Sequence, residues 1–300
     1  MSILVSNEIY SAICNELESA QESVQIMSAY GKLNAIGSII ERIQDTVINK
    51  RLMLRFRLDD ILKGSTDFEL LDYCMKQGWK VYIRFDLHAK TYIVDNKRGI
   101  IGSANATSSG LALNHNPNYE MAALVDIDQE DVSKINRLFE DAILVDDDLW
   151  MELESEYKVA RDNNSINTNT FKWSSVITSH FNPHIETLFS FELPEKPSFS
   201  DGEYIQFLDM PFTSYDELKE AFRWSKAYLW LLNVLKNNNG TLYFGALSSL
   251  LHDALVSDPR PYRKDVKDLL TNLLGLAVYL NMEEILIDRP NYSQRIRIRK

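Results

Sequence analysis

The stretch from Leu87 to Asn105, LHAKTYIVDNKRGIIGSAN, constrains this chain more than any other. It reads as strand, turn and strand, and alternation puts His88, Lys90 and Tyr92 on one face and Ala89, Thr91 and Ile93 on the other. At roughly 3.3 Å of rise per residue, His88 and Lys90 bracket a gap of about 7 Å, which a hydrogen-bonded phosphate fills. Asp95-Asn96-Lys97-Arg98-Gly99 reads as the hairpin loop, with Gly99 where a positive φ is cheap. With Asn96 and Lys97 at the tip, Lys90 falls opposite Ser103 and His88 opposite Asn105. Residues opposite one another on paired strands share a face. One face of a short hairpin then carries an imidazole, an ammonium, a hydroxyl and a carboxamide.

These groups suit phosphoryl transfer. A neutral imidazole is a nucleophile near pH 7, and an ammonium and an amide N–H hold the non-bridging oxygens of a phosphodiester as charge grows on them. The spacing His88-x-Lys90-x4-Asp95-x6-Gly102-Ser103-x-Asn105 resembles the HxK(x4)D(x6)GSxN signature of the phospholipase D superfamily, with every fixed position filled.

The resemblance implies an α/β fold, a phospholipase D-like mixed β-sheet flanked by helices, and a mechanism without metal or cofactor. His88 attacks phosphorus to give a phosphohistidine, Lys90 and Asn105 bind the phosphate, and Ser103 hydrogen-bonds in the same network. Asp95 and Gly102 belong to the structural frame. A carboxylate following the GSxN segment orients the nucleophile in this family; here it is Glu120, in NYEMAALV. Family members also use a second signature histidine as proton donor. This chain has one signature, so a homodimer sharing one composite site is expected, with His115 as the substitute within the chain.

Lipid-acting members typically carry two signatures in one chain. Single-signature members with an added domain resemble metal-independent restriction endonucleases. The resemblance thus implies a nuclease, DNA first, serving restriction or phage defence, with an ATPase or helicase as a further partner. One alternative is a cytosolic phospholipase D-type lipid or small-molecule phosphodiesterase, which needs an apolar mouth that Thr107 to Tyr119 does not advertise. The other is a non-catalytic nucleic-acid-binding or scaffold protein, which more often has lost part of the signature.

Three hundred residues, 45% of them hydrophobic, suffice for two packed domains. Cys14 and Cys74 lack CxxC or Cys/His spacing, so buried thiols in a reducing compartment are expected. Glu8, Glu16 and Glu18 interrupt any signal-peptide pattern, and no stretch stays apolar for the ~18 to 20 residues of a membrane span. A cytoplasmic protein with no membrane partner is expected. A net charge of −11 argues against a surface that binds polyanions everywhere, but not against a focused basic groove.

In order, Asn7 to Ala20 reads as an amphipathic helix, Val24 to Tyr30 as a strand, Leu33 to Asn49 as a helix and Arg51 to Arg57 as a strand. Phe68 to Gln77 gives a helix ended by Gly78, and Lys80 to Phe85 leads into the signature. Alternating strands and helices predict a mixed or parallel sheet. Ser28 and Tyr30 end the first of these strands and either pack as a strand end under a loop or reach the site rim; Arg55, Arg57 and Arg84 form either a phosphate-steering patch or a solvated side. Asp146-Asp147-Asp148 reads as a helix start rather than a cation site. His180-x3-His184, interrupted by Pro183, reads as structural.

Residues 1–160 are therefore expected to form the catalytic domain, 161–175 a linker, and 176–300 a smaller, mainly helical domain. Ser214 to Glu217 is a capping box opening a helix that runs to Asn237. Further helices follow, one with Arg263, Lys264 and Lys267 in its first turns as candidate substrate-binding residues. A ribbon around Pro290-Asn291 closes the chain. This order resembles a winged helix, with a protein-interaction domain as the alternative.

Overall fold

The computed structural model describes residues 1–163, 171–181 and 183–299. The chain divides into two units, Met1–Phe181 and Asn182–Lys300.

In the first unit the elements are β1 (Ser2–Val5), α1 (Asn7–Glu18), β2 (Ser23–Ser28), α2 (Leu33–Ile40), β3 (Asn49–Arg55), α3 (Leu58–Leu62), α4 (Leu70–Lys76), β4 (Lys80–Arg84), β5 (Lys90–Val94), β6 (Arg98–Gly102), β7 (Met121–Asp126), α5 (Gln129–Glu140), β8 (Ile143–Leu144), α6 (Asp147–Asn163) and α7 (Ser175–Thr178). The strands form one mixed sheet in the order β1-β7-β6-β5-β2-β3-β4-β8. β2 lies between the parallel β3 and the antiparallel β5 and is buried along its whole length. Its neighbours satisfy its backbone on both edges, and helices cover its faces.

Ile9, Ile13 and Leu17, four residues apart on α1, are fully buried. On the other face, Ile135 and Phe139 of α5 pack on Met27 and Met53. The reciprocal Asp128/Asp131 capping box fixes where α5 begins, and Asp146 caps α6 through Leu149 N at 2.9 Å. One row of this second face runs across the sheet from Met27 through Thr91, Ile101 and Ala123 to Ile3. Helix α5 covers only the Met27 end. Ile3, Ile101 and Met121 are 67%, 44% and 57% exposed.

Of the expected linker, Arg161 to Asn163 close α6, residues 164–170 lie outside the described residues, and 171–175 pack on the first unit. Phe171 N donates to Asp59 at 2.6 Å, and the Trp173 indole donates to Phe56 O at 2.6 Å while stacking on the Phe56 ring. A buried tryptophan outweighs the polar composition of the residues before it. The helix expected over Leu33 to Asn49 stops at Ile40, because β3 takes up Asn49 onward.

The second unit contains β9 (Tyr204–Ile205), β10 (Met210–Pro211), α8 (Tyr215–Arg223), α9 (Lys226–Asn237), β11 (Thr241–Tyr243), α10 (Phe244–Ala254), α11 (Arg263–Tyr279), β12 (Ile285–Asp288) and β13 (Arg295–Ile298). From α9 onward the order is helix, strand, helix, helix, strand, strand, with the antiparallel sheet ordered β11-β13-β12. That is winged-helix topology, with β12 and β13 as the wing. Tyr228, Trp230, Leu247, Leu270 and Ile296 lie in one buried cluster. The single helix expected from Ser214 is two: α8 ends at Arg223, and Ser225 starts α9 by accepting from Tyr228 N. Only half of the expected capping box forms. Ser214 Oγ accepts from Glu217 N, but the Glu217 carboxylate takes the Thr213 hydroxyl instead of Ser214 N.

Candidate active site

The signature hairpin forms, one residue out of the expected register. Val94 pairs with Arg98 and Thr91 with Ile101, so the loop is Asp95-Asn96-Lys97 rather than a two-residue tip. Asp95 and Asn96, at φ 53° each, supply the left-handed backbone assigned to Gly99. Gly99 instead lies in β6, where a Cβ would meet Ile127 Cδ1 at 3.1 Å. Lys90, Ser103, His88 and Asn105 therefore do not face each other as ladder pairs. β5 begins at Lys90 and β6 ends at Gly102, and the chemistry collects where both strands run out.

Two positions, one at each end, fix the hairpin in the sheet. Gly102 passes so close to β7 that a Cβ would collide with Met121 O and lie 2.5 Å from Ala122 Cβ. Asp95, at the far end, accepts backbone N–H groups from Gln21 at 3.0 Å, Glu22 at 2.7 Å and Ser23 at 2.8 Å. Burial opposes the Asp95 charge, but these three donors outweigh it and hold the carboxyl below its ordinary value. A depressed folded-state pKa gives stability that is present above the unfolded value near 3.9 and is lost as pH falls through the folded one. Asp95→Asn is therefore expected to be less stable than wild type at pH 7, with the gap closing in acid below the ordinary carboxylate range. Denaturant unfolding at several pH values checks this; a pH-independent gap contradicts it.

At the active end, Lys90 is buried, pairs with Ser28 across the β2–β5 ladder, and donates from Nζ to His88 O at 2.7 Å. Burial first, then the Arg55 charge, lowers its pKa, and the nearby Glu120 opposes them. His88 is exposed, and its ring makes no hydrogen bond among the described residues. The Lys90 charge, with smaller contributions from burial and Arg55, lowers the His88 pKa, so the neutral, nucleophilic imidazole is favoured. Lys90→Met should raise the His88 pKa toward its ordinary value, as followed by NMR titration of the ring. An unchanged or lower value would show that Lys90 does not set it.

Asn105 is oriented by its oxygen. Tyr30 N donates to Oδ1 at 3.1 Å, and the Ser28 hydroxyl sits 3.4 Å away while also receiving Ala106 N at 2.9 Å. With Oδ1 occupied, the Nδ2 protons are left for a substrate oxygen. Arg55 joins the group: its guanidinium forks onto Asp60 at 2.8 and 3.1 Å and donates to the Tyr30 hydroxyl. Ser103 Oγ donates to Glu120 Oε2 and receives Met121 N at 3.1 Å. Glu120 is buried, and its other oxygen takes Asn118 Nδ2 at 3.0 Å. Both carboxylate oxygens are thus occupied by neutral donors, and the expected bond from Glu120 to the His88 ring is not made. What Glu120 orients directly is Ser103.

His88, Lys90, Ser103, Asn105, Glu120, Ser28, Tyr30 and Arg55 come together. Arg84 does not join them: it forks onto Asp86 at 2.8 and 2.9 Å over the Phe181 ring. Arg57 donates to Phe85 O, and burial, then the Arg55 charge, lowers its pKa. His115 stands in an exposed loop with no bond to the site. Arg263, Lys264 and Lys267 are exposed on the first turns of α11, in the second unit. Sequence reasoning missed Asp60 and Asn118. Asp60 follows Arg55 by five residues across a strand end, a spacing with no periodic signal. Asn118 precedes Glu120 by two in NYE and was within reach of a search for donors to that carboxylate.

A mixed sheet with an imidazole, an ammonium, a guanidinium and a carboxamide at one strand end defines a phospholipase D-like domain. Residues 13–143, which include the entire signature, match the profile of the family described as "Cardiolipin synthase, PLD-like domain", so this part of the chain is phospholipase D-like. Among solved structures it is similar to Nuc from Salmonella typhimurium, a phospholipase D family member. Identity is 17%, over 47% of this chain and 92% of that one, with a TM-score of 0.38. NucT from Helicobacter pylori matches at 18% identity over 46% of this chain and 92% of that one, TM-score 0.32. The phosphatidylserine synthase of Haemophilus influenzae Rd KW20 matches at 13% identity over 58% and 45%, TM-score 0.41. No curated protein matches the chain.

Proposed function

We propose that this protein is a metal-independent phosphodiesterase that cleaves nucleic acid, DNA first, through a phosphohistidine on His88. The observation that carries the reading is the His88 ring. Among the described residues it makes no hydrogen bond, and it is exposed and held toward its neutral form by Lys90, with Asn105 and Arg55 in the same group. Attack by the imidazole on phosphorus displaces one ester oxygen. Lys90, Asn105 and Arg55 hold the charge that builds on the non-bridging oxygens. Water then opens the phosphohistidine. Because cations fixed in the protein supply this charge, Mg²⁺ is not needed to neutralise the phosphate.

The choice of nucleic acid is supported by the second unit. Its winged-helix topology offers a helix and a wing of the kind that enter DNA grooves, and Arg263, Lys264 and Lys267 are exposed where α11 begins. Among the described residues no helix is long and apolar enough to cross a membrane. The dimeric composite site is supported by the apolar sheet face of Ile3, Ile101 and Met121. It lies uncovered beside Ser103 and Glu120, as an isologous contact around one phosphate would require.

The test is incubation of purified protein with labelled DNA, RNA and phosphatidylcholine vesicles in EDTA. DNA cleavage that survives chelation is expected. Activity on vesicles alone, or activity restored only by a divalent ion, overturns the reading.

A further inference from the structure

Beyond the phosphate-binding groups, the first unit has a separate pocket of about 520 Å³, whose lining includes Asn34, Thr107, Ser108, Ser109 and Asn114. Its position follows from the backbone. Gly31 and Ala106 form a parallel bridge, Lys32 N donates to Ala106 O at 2.9 Å, and Thr107 N closes on Asn105 O at 2.7 Å. The two segments that hold Asn105 therefore run on together, and within a few residues, as the chain turns at Thr107, they become the pocket walls. A group bound there sits beside the strand end that carries Asn105.

The walls define what fits. Asn34 Nδ2 donates to Ser108 Oγ at 2.8 Å, and Asn114 Nδ2 donates to Ser109 Oγ at 2.9 Å. Each hydroxyl is used as an acceptor and keeps its own proton to donate, and the Asn34 carboxamide keeps its oxygen as an acceptor. Lys32 and Asp67, 2.7 Å apart, cancel each other's charge at the rim. A pocket without net charge does not select a second phosphate. No aromatic ring lines it, so a base would not be gripped by stacking. Neutral donors and acceptors side by side match the edge of a nucleobase.

The geometry points to this pocket as a base-reading subsite, holding by its edge the nucleobase next to the cleaved phosphate and giving the enzyme a sequence preference at that one position. This rests on the nucleic-acid reading of the active site. It assigns the preference to the catalytic unit itself, separately from any contact the winged helix makes.

The experiment compares kcat/KM on oligonucleotides that differ only in the base on either side of the cleaved bond, together with an abasic version of each. Wild type is expected to discriminate among bases about fivefold or more on one side only. Asn34→Ala and Ser108→Ala, with melting curves matching wild type, should flatten that discrimination while leaving the abasic rate unchanged. Retained preference in both variants, a uniform loss on every substrate, or a preference set by ribose against deoxyribose and equal for all bases overturns the subsite. If wild type hydrolyses bis(p-nitrophenyl) phosphate but no oligonucleotide, the nucleic-acid reading itself fails and the subsite with it.

Discussion

His88→Ala is expected to lose DNA cleavage by on the order of 10⁴-fold or more in kcat while melting within about a degree or two of wild type. The two halves of this expectation have separate causes. In the proposed mechanism the imidazole forms the covalent bond to phosphorus, so its removal falls on bond formation. It is also exposed and without a hydrogen bond among the described residues, so little packing goes with it. Lys90→Ala and Asn105→Ala should each cost about a hundredfold or more through lost stabilisation of the growing charge. Asn105→Ala should also loosen the strand end, because Tyr30 N loses its acceptor. Wild-type turnover in clean His88→Ala protein would remove His88 from the mechanism.

Mixing subunits is expected to give the second large effect. Displacing a nucleoside oxygen leaves an alkoxide of high pKa, so a second group must donate a proton as the bond breaks. Among the described residues His88 makes no hydrogen bond to a second histidine, and His115 lies in an exposed loop without a bond to the site. Two copies joined across the Ile3–Ile101–Met121 face would supply the pair, one imidazole neutral and one protonated, and cleavage would then depend on pH with a bell shape. Light scattering should report a dimer. Equal mixtures of wild-type and His88→Ala chains, exchanged to equilibrium, should retain only about a quarter of the wild-type activity, because mixed dimers are inactive. Half the activity retained, or a fully active monomer, would refute the shared site and make His115 the next residue to replace.

The family and its mixed sheet flanked by helices could be read from residues close together in sequence, because the signature lies within one hairpin and its side chains carry their chemistry wherever the backbone takes them. The register could not. It depended on whether Asp95 and Asn96 would take up left-handed backbone, and a glycine four residues past Asp95 is a better conformational candidate than either. What decides the matter is the pull of Gln21, Glu22 and Ser23 on the Asp95 carboxylate, which comes from another part of the chain. The same holds for Glu120. Its place after the signature was legible, but its preference for the Ser103 hydroxyl over the His88 ring follows from β6 and β7 lying side by side. The strand Ser2–Val5 gave no usable pattern, since four residues are too short for a period to show. In the second unit, the break between α8 and α9 falls inside an unbroken helical periodicity and is made by one serine cap.

The ties that shape the catalytic end also set the order of events in folding. Asp95 is joined to Ser23 across 72 residues, and Ala106 to Ser28 across 78. Closing such loops carries its entropic cost before any contact compensates for it, and domains rich in distant contacts fold slowly. On the ribosome, the strand that ends in Ser28 has to wait until the hairpin and the segment beyond it have emerged. A nascent chain therefore displays the complete signature well before the sheet can assemble around it, and the candidate site comes into being only with the finished sheet.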